Sequence, residues 1–412
     1  MRTDVAVIGA GQAGLAASRC LSDRSIDHMV LERAHVANSW RTERWDSLRL
    51  LTPNWLSRLP EWHYDGTDPD GYMTRDNFVE HLERYSRSFD TCVRTETEVQ
   101  SIRKYSDGFR LQTSQGEIDA RAVVIASGAY SRPRLPAIAS ALPVSLHQMS
   151  SKQYRNVDQI DSGGVLVVGA SASGAQIGDE LARAGREVTL AVGSHSRIPR
   201  RYRGRDTFAW LETSGILDDR WIDEPDIAKS RRVPSFQLVG TDEGRDLDLN
   251  TLASAGVRIV GRLVNVTASK LQFSGALANT ITSADQKMNR LLARIDRSID
   301  HFGVDAFGDR PAPTRLPPSC LELDLAGVGT IIWATGFHPD YPWLPPQLLD
   351  RRGAVVHNGG VLDEPGMFVL GLPFLRRRKS GFIEGTGLDA VELMQPLETH
   401  LNVGARSCTN RI

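Results

Sequence analysis

Cysteine is scarce in this chain: Cys20, Cys92, Cys320 and Cys408 are scattered over 412 residues and form no C-x-x-C pair. That spacing excludes a redox dithiol of the usual kind and a cysteine-based zinc site, and it suits a reducing compartment such as the cytoplasm. Net charge is scarce as well. The chain carries 49 Lys and Arg against 50 Asp and Glu, a formal net charge of -1, so no global field draws it to nucleic acid or to an anionic membrane. Long apolar runs are missing too. None approaches the ~18 residues that a bilayer crossing needs, and the tail after Met394 is short and polar. The first predicted strand begins at Asp4, which leaves no room for a leader peptide. The expectation is a cytoplasmic protein without a metal site. Its 41% hydrophobic and 24% charged residues are ordinary for a globular chain, and its length suits two or three domains.

Against this plain background the first residues stand out. Asp4-Val5-Ala6-Val7-Ile8 reads as a buried parallel strand, Leu15-Ala16-Ala17 reads as helix, and Gly9-Ala10-Gly11-Gln12-Ala13-Gly14 joins them. In such a turn Gly9 permits the tight bend, Gly11 lets a pyrophosphate lie against bare backbone, and Gly14 lets the helix pack close to its strand. The helix N-terminus then faces the phosphate charge. A second strand, near His28 to Leu31, ends in Glu32, where a ribose hydroxyl needs an acceptor. The stretch predicts an adenine dinucleotide site.

Four tryptophans, Trp40, Trp45, Trp55 and Trp62, come next in one loop-rich stretch. Two readings stay open: a loop packed on its own apolar side chains, or a wall against a large flat ring. Thr74 is placed to cap a helix from about Arg75 to Ser88, whose Phe78, Val79, Leu82 and Tyr85 share one core face. From Thr97 to Val124 short alternating runs, with turns at Asp107-Gly108 and Gln115-Gly116, predict an antiparallel meander. It feeds a buried strand, Ala122 to Ala126, that stops at Ser127-Gly128, small residues that let backbone approach a ligand. Ser131 to Pro136 then reads as an extended exit from a first domain.

A second fingerprint lies further on. Val165-Leu166-Val167-Val168 leads into Gly169-Ala170-Ser171-Ala172-Ser173-Gly174 and a helix through Leu181-Ala182. Ser171 takes the place of the middle glycine and brings a hydroxyl donor. The next strand, Glu187 to Val192, ends in Gly193-Ser194-His195 with no acid, and Arg197, Arg200, Arg201, Arg203 and Arg205 come directly after. A missing acid and available arginines are what a 2′-phosphate requires, which favours NADPH over NADH. The plain alternative is a solvated basic loop.

An amphipathic helix from about Ser283 to Phe302 carries Met288, Leu291, Leu292, Ile295 and Ile299 on one face, for core packing or for a partner helix, so a homodimer through it stays open. Gly256 to Val260 and Leu263-Val264 read as late strands of the second dinucleotide fold, and Arg310 to Pro318 as a proline-rich connector. Gly329 to Phe337 repeats the earlier device, a buried strand ending in small residues, at Ala334-Thr335-Gly336. Met367 to Leu372, with Gly371 near its end, is one more such strand, and Gly385 to Leu393 reads as a loop and final helix. The expected fold is α/β, with two Rossmann-like dinucleotide-binding domains, the second inserted in the first. The predicted boundaries are 1–150 and 326–412 for one domain and 151–325 for the other.

Taken in order, these motifs, together with Ser39-Trp40-Arg41, Leu48-Arg49-Leu50, Pro53 and Leu59-Pro60, resemble the class B flavoprotein monooxygenases over nearly the full length. That group holds the flavin-containing monooxygenases, Baeyer–Villiger enzymes, YUCCA-type enzymes and bacterial CzcO-like oxidoreductases. The resemblance implies FAD at the first fingerprint and NADPH at the second, with the Ala334 to Gly336 strand sensing both. It further implies that Trp40, Arg41, Thr52 and Val99 lie on the FAD side and that Ser171, Ser173 and Gln176 lie near NADPH. The final helix, near Gly385, is expected to aim its N-terminal amides at the flavin. One family motif, F-x-G-x-x-x-H, is nearly erased: Ala141 and Pro143 replace Phe and Gly, Ser151 stands where a Trp or Asp would come next, and only His147 is kept. This departure argues against a Baeyer–Villiger enzyme, leaves His147 as a structural or exposed residue, and leaves the catalytic residues unnamed.

The resemblance implies a monooxygenase that uses NADPH, FAD and O2 to place one oxygen on the nitrogen, sulfur or carbonyl of a small organic substrate, through a flavin C4a-peroxide. The rival is an NADPH-dependent reductase or dehydrogenase that passes electrons to a quinone, a metal or a partner protein. A non-catalytic nucleotide sensor is a third reading, which turnover would exclude.

Overall fold

Valine- and isoleucine-rich runs closed by glycine become the central strands. The computed structural model describes residues 1–303 and 307–409, with side chains through Asn402. The first half contains β1 (Arg2–Ile8), α1 (Gln12–Ser22), β2 (His28–Leu31), α2 (Arg75–Arg87), β3 (Val93–Arg94), β4 (Val99–Tyr105), β5 (Gly108–Thr113) and β6 (Gly116–Ile125). Its sheet runs β3-β2-β1-β6-β5-β4. The β1–β2 and β1–β6 pairs are parallel, whereas β4–β5 and β5–β6 are antiparallel. The last strand of the meander and the buried strand, which read from the sequence as two elements, are one ten-residue strand, β6, since no turn residue interrupts Ala120 to Ala122. Thr74 caps α2 as expected, its hydroxyl accepting from the Asn77 amide at 3.1 Å.

The second half contains β7 (His147–Ser150), β8 (Gly164–Val168), α3 (Ala172–Arg183), β9 (Val188–Ala191), β10 (Arg258–Val260), β11 (Leu263–Val266), β12 (Lys270–Phe273), α4 (Leu277–Phe302), β13 (Glu322–Asp324) and β14 (Val328–Trp333). Its main sheet is parallel, in the order β10-β9-β8-β14-β7. Both faces are covered: Val165 and Val167 join the cluster of Ile177, Leu181 and Leu252, while Leu166 and Val168 join that of Leu271, Phe273 and Trp333. The observed elements depart from the sequence reading at three places. β7 and β14 belong to this second sheet, so the expected divisions at 150 and 325 leave both strands outside the domain they complete. Leu263-Val264 sits in a separate antiparallel sheet, β11-β12-β13, and α4 begins at Leu277, before Ser283.

The chain then returns to the first sheet through β15 (Met367–Val369), which pairs in parallel with the end of β6, and finishes in α5 (Ile383–Thr409). Exit and return touch, because Arg132–Pro133 pairs antiparallel with Phe337–His338. The apolar face of α4 is covered by the chain itself: Met288, Leu292, Ile295 and Ile299 pack with Phe208, Trp210, Leu211 and Leu217. That burial accounts for the stripe as core and removes it as a candidate dimer surface. Among the described residues no helix is long and apolar enough to cross a membrane, and no group of His, Cys, Asp and Glu is arranged to hold a metal.

Candidate dinucleotide sites

Three glycines of the first turn have different reasons to be glycine. Gly9 has φ +105°, and a Cβ there would lie 2.6 Å from the Ala126 carbonyl oxygen. A Cβ on Gly14 would lie 1.8 Å from the Gly9 oxygen. Both are demanded by the fold. Gly11 is not: its φ of -82° and ψ of -173° suit any residue, and a Cβ there would meet nothing within 4 Å. The space above Gly11 opens beside the start of α1, where no side chain caps the first amides. An uncapped helix N-terminus over bare backbone is an anion cradle.

Glu32 closes this site from the end of β2. Its Oε2 accepts from the Ala10 amide at 2.8 Å and its Oε1 from the Ala34 amide at 3.1 Å, so the buried carboxylate is fixed while each oxygen keeps a further lone pair. Trp40 donates from Nε1 to Gln12 Oε1 at 3.1 Å and stacks edge-on against Phe78. Gly371 has φ +75° and lies against Ala13, where a Cβ would come within 2.9 Å. Ser127 is exposed beyond β6, with Gly128 next to it at φ +86°. The glycine turn, Glu32, Ser127, Gly128 and Gly371 thus gather at the C-terminal ends of β1, β2, β6 and β15, where ligands bind in open α/β sheets. Arg41 turns away to an ion pair with Glu83 of α2. Thr52 is buried, and Val99 opens β4 opposite Thr113. Gly385 starts α5, where a Cβ would strike the Lys379 carbonyl.

An ionic cluster centred on the buried Lys379, Glu384 and Asp389 surrounds that end of α5. Lys379 Nζ lies 3.2 Å from Glu212, 3.2 Å from Asp218 and 3.4 Å from Glu384. Asp389 is fully buried, and burial pushes its carboxyl up to about 6 although Arg377 lies 3.1 Å away. Glu212 and Asp218 belong to the second half, so the cluster ties the two halves together.

The second turn repeats the first. Gly169 has φ +111° with its Cβ position 2.3 Å from the Ala334 oxygen, and a Cβ on Gly174 would lie 1.8 Å from the Gly169 oxygen. Ser171 holds φ -81° and ψ -174°, and its hydroxyl makes no cap bond to α3. Ser173 is half-buried in the first turn of α3. Gln176 is buried and donates to the Leu238 carbonyl at 2.6 Å, a brace between α3 and the chain beside it. The Thr335 hydroxyl donates to the Arg134 carbonyl, and the Gly336 carbonyl accepts from the Arg134 amide at 2.9 Å, which fixes the Ala334 to Gly336 strand end to the exit segment.

Register identifies the counterpart of Glu32. The Gly9 amide donates to Leu31 O at 2.8 Å, and the Gly169 amide donates to Ala191 O at 2.9 Å. Residue 32 therefore matches Val192, a buried aliphatic residue, so the acid is absent one residue earlier than Gly193.

The arginine run requires a correction. Arg197 is buried, with its guanidinium 2.9 Å from Asp248 and 2.8 Å from Asp285. Arg200 is fully enclosed, donating to Leu51 O at 2.7 Å and to Asp206 at 2.9 Å between the Tyr72 and Phe208 rings. Both serve as internal ties, because carboxylates and carbonyls far away in sequence converge on them. Arg201 is exposed and donates to Gly204 O within its own hairpin. The cation that does stand at the end of β9 is one the sequence reading passed over. Arg262 is exposed just after β10, and its Nε lies 3.7 Å from the point a Cβ on Gly193 would occupy. An arginine directly after the third strand of a βαβ fold, in Gly256 to Arg262, was the available signal.

The tryptophans are packed on the chain itself: Trp45 in the core beside α3, Trp55 against the α4 cluster, and Trp62 on α2 with Nε1 donating to His81 at 3.1 Å. His147 is half-buried at the start of β7, 3.1 Å from Asp161. A cleft of about 330 Å³, lined by Asn54, Asp65, Asp68, Glu80 and Arg84, lies beside α2 and contains neither glycine turn.

Two glycine-turn units, each at the C-terminal end of a parallel strand in its own sheet, define a flavoprotein oxidoreductase fold with two dinucleotide domains. The family model described as pyridine nucleotide-disulphide oxidoreductase matches residues 6–210. The chain is 32% identical over 400 residues to an uncharacterized CzcO-like oxidoreductase of Geobacillus kaustophilus, covering 96% of this chain and 99% of that one. It is 30% identical over 283 residues to the indole-3-pyruvate monooxygenase YUCCA1 of Oryza sativa subsp. japonica, covering 66% and 69% of the two chains. The flavin-containing monooxygenase from Stenotrophomonas maltophilia shares the fold, with a TM-score of 0.69 at 19% identity over 97% of this chain and 99% of that one. The chain belongs to the flavin monooxygenase family, among its CzcO-like oxidoreductases. It is a flavin-dependent oxidoreductase of a class that uses a pyridine nucleotide and acts with O2 on small molecules.

Proposed function

We propose that the first turn holds FAD, that the second holds NADPH, and that the enzyme oxygenates a small nucleophile or carbonyl compound. The bound cofactors would supply hydride transfer and O2 activation, with one oxygen atom going to the substrate and the other to water. The chain's own part is to bind, orient and exclude water. Amides at the start of α1, with bare Gly11 beneath, receive the FAD pyrophosphate, and Glu32 accepts from its ribose hydroxyls. The start of α3, with Ser171 in place of the glycine, receives the NADPH pyrophosphate. Ser127, Gly128 and Gly371 present backbone to the flavin, and the paired segments 132–133 and 337–338 mark the seam between the FAD and NADPH units. The buried cluster of Lys379, Glu384 and Asp389 keeps the start of α5 free of bulk water.

The observation that carries this assignment is the contrast at one register position, Glu32 against Val192. A carboxylate accepts from a free ribose and repels a 2′-phosphate; an aliphatic residue does neither. The substrate named for the rice relative is a 2-oxo acid, so 2-oxo acids join amines and thioethers as candidates.

The test is turnover under 18O2 with NADPH and panels of amines, thioethers and 2-oxo acids, read by mass spectrometry. One labelled oxygen atom in a product, matched to NADPH consumed, is expected. Full recovery of electrons as hydrogen peroxide for every compound, with rapid reduction of an added quinone, would overturn the proposal in favour of a reductase.

A further inference from the structure

The second turn lacks an acid, yet two arginines expected to greet a 2′-phosphate are locked into the interior. Another cation stands at the right place. We propose that Arg262 recognises the 2′-phosphate of the nicotinamide dinucleotide and sets the preference for NADPH over NADH; this rests on the reading that the second turn takes that nucleotide.

Position comes first. In a βαβ fold the adenosine ribose lies at the end of the second strand, here β9. β10 pairs with β9 through Ala191 and Val260, and the Val192 amide donates to Val260 O at 2.9 Å. Gly193 and Arg262 each stand two residues beyond that pair, so they emerge side by side. Space comes second. Gly193 has no side chain, and the Arg262 guanidinium lies over it, with Nε and Nη2 3.7 and 3.9 Å from its vacant Cβ position. Mooring comes third. The Arg262 carbonyl accepts from the Ser274 amide at 2.8 Å, and Gly261 is packed so closely on Ser274 that a Cβ would come 2.0 Å from its oxygen. The backbone that aims the side chain is therefore fixed to β12.

Charge comes last. Arg197, Arg200 and Arg203 all face carboxylates within 3 Å, and Arg258 on β10 lies 3.4 Å from Glu187. Arg262 is exposed, and among the described residues it forms no ion pair. A guanidinium is planar and donates two parallel hydrogen bonds to a phosphate, which a lysine ammonium cannot reproduce.

The experiment is calorimetric titration of the flavin-loaded protein with NADP+ and with NAD+, for wild type, Arg262→Ala, Arg262→Lys and, as a control on the basic run, Arg201→Ala. Loss of a charged hydrogen-bond pair predicts roughly 10- to 100-fold weaker NADP+ binding in Arg262→Ala, with NAD+ affinity unchanged. Arg262→Lys should fall between, and Arg201→Ala should match wild type. Flavin content and melting temperature verify that each variant folds. If wild type prefers NADP+ and Arg262→Ala keeps that preference, the assignment of Arg262 is overturned while the NADPH reading stands. If wild type binds NAD+ as tightly as NADP+, the NADPH reading itself fails.

Discussion

Gly9 and Gly169 turn at φ +105° and +111°, Gly11 and Ser171 share backbone angles to within a degree, and Gly14 and Gly174 press equally close on the preceding oxygen. Both turns start a helix that no side chain caps. The two halves part company at residue 11 against 171 and residue 32 against 192. Positions required by the fold are repeated, and positions that face open space or the end of the second strand are free to differ. Ligand choice is therefore written in few residues on a shared scaffold.

The largest effect should come from challenging what the halves share. Gly14→Ala and Gly174→Ala each force a Cβ into a carbonyl 1.8 Å away, and each should cost roughly 2–4 kcal/mol by displacing a helix from its strand. Urea unfolding measures both. A tolerated Gly174→Ala beside a damaging Gly14→Ala would break the claim of a common plan.

A similar loss should result from acidification. Burial lowers the His81 ring to about 4, with Nε2 accepting from Trp62, and burial lowers His195 in the second half as well. The unfolded ring takes a proton below its ordinary 6.5, whereas folded His81 resists until about 4. Stability is then intact above pH 6.5 and is lost as pH falls toward 4, by roughly 3 kcal/mol at most for His81. Melting temperature against pH should flatten in His81→Gln, whose amide oxygen still accepts from Trp62. An unchanged slope in both His81→Gln and His195→Gln would refute burial as the cause.

Legibility in the sequence depended on distance along the chain. The glycine turns, their strands and α2 are specified by residues within a few positions, and all form where the pattern places them. Arg197 and Arg200 read as a solvated run because the groups that bury them, Asp248, Asp285 and Leu51, lie 51, 88 and 149 residues away. β7 pairs with β14 across an even longer span, so no local feature near Ser150 marks its sheet. Leu277 to Thr282 has weak helix formers such as Asn279 and Thr280, and burial of Ile281 brings the segment into α4. Leu263 to Val266 alternates as any strand does, and only its pairing with β12 assigns it to the small sheet. Val192 and Arg262 acquire meaning through register alone.

The most direct test of two unlike cradles on one plan is Gly11→Ser, which writes the second turn's residue into the first. Nothing in the fold opposes the added atoms, so melting of the flavin-free protein should shift by no more than about 0.5 kcal/mol in stability. Flavin retained per chain should fall sharply while NADP+ affinity stays at the wild-type value. Full flavin retention, or a loss of NADP+ binding in its place, would contradict the division of ligands between the two turns.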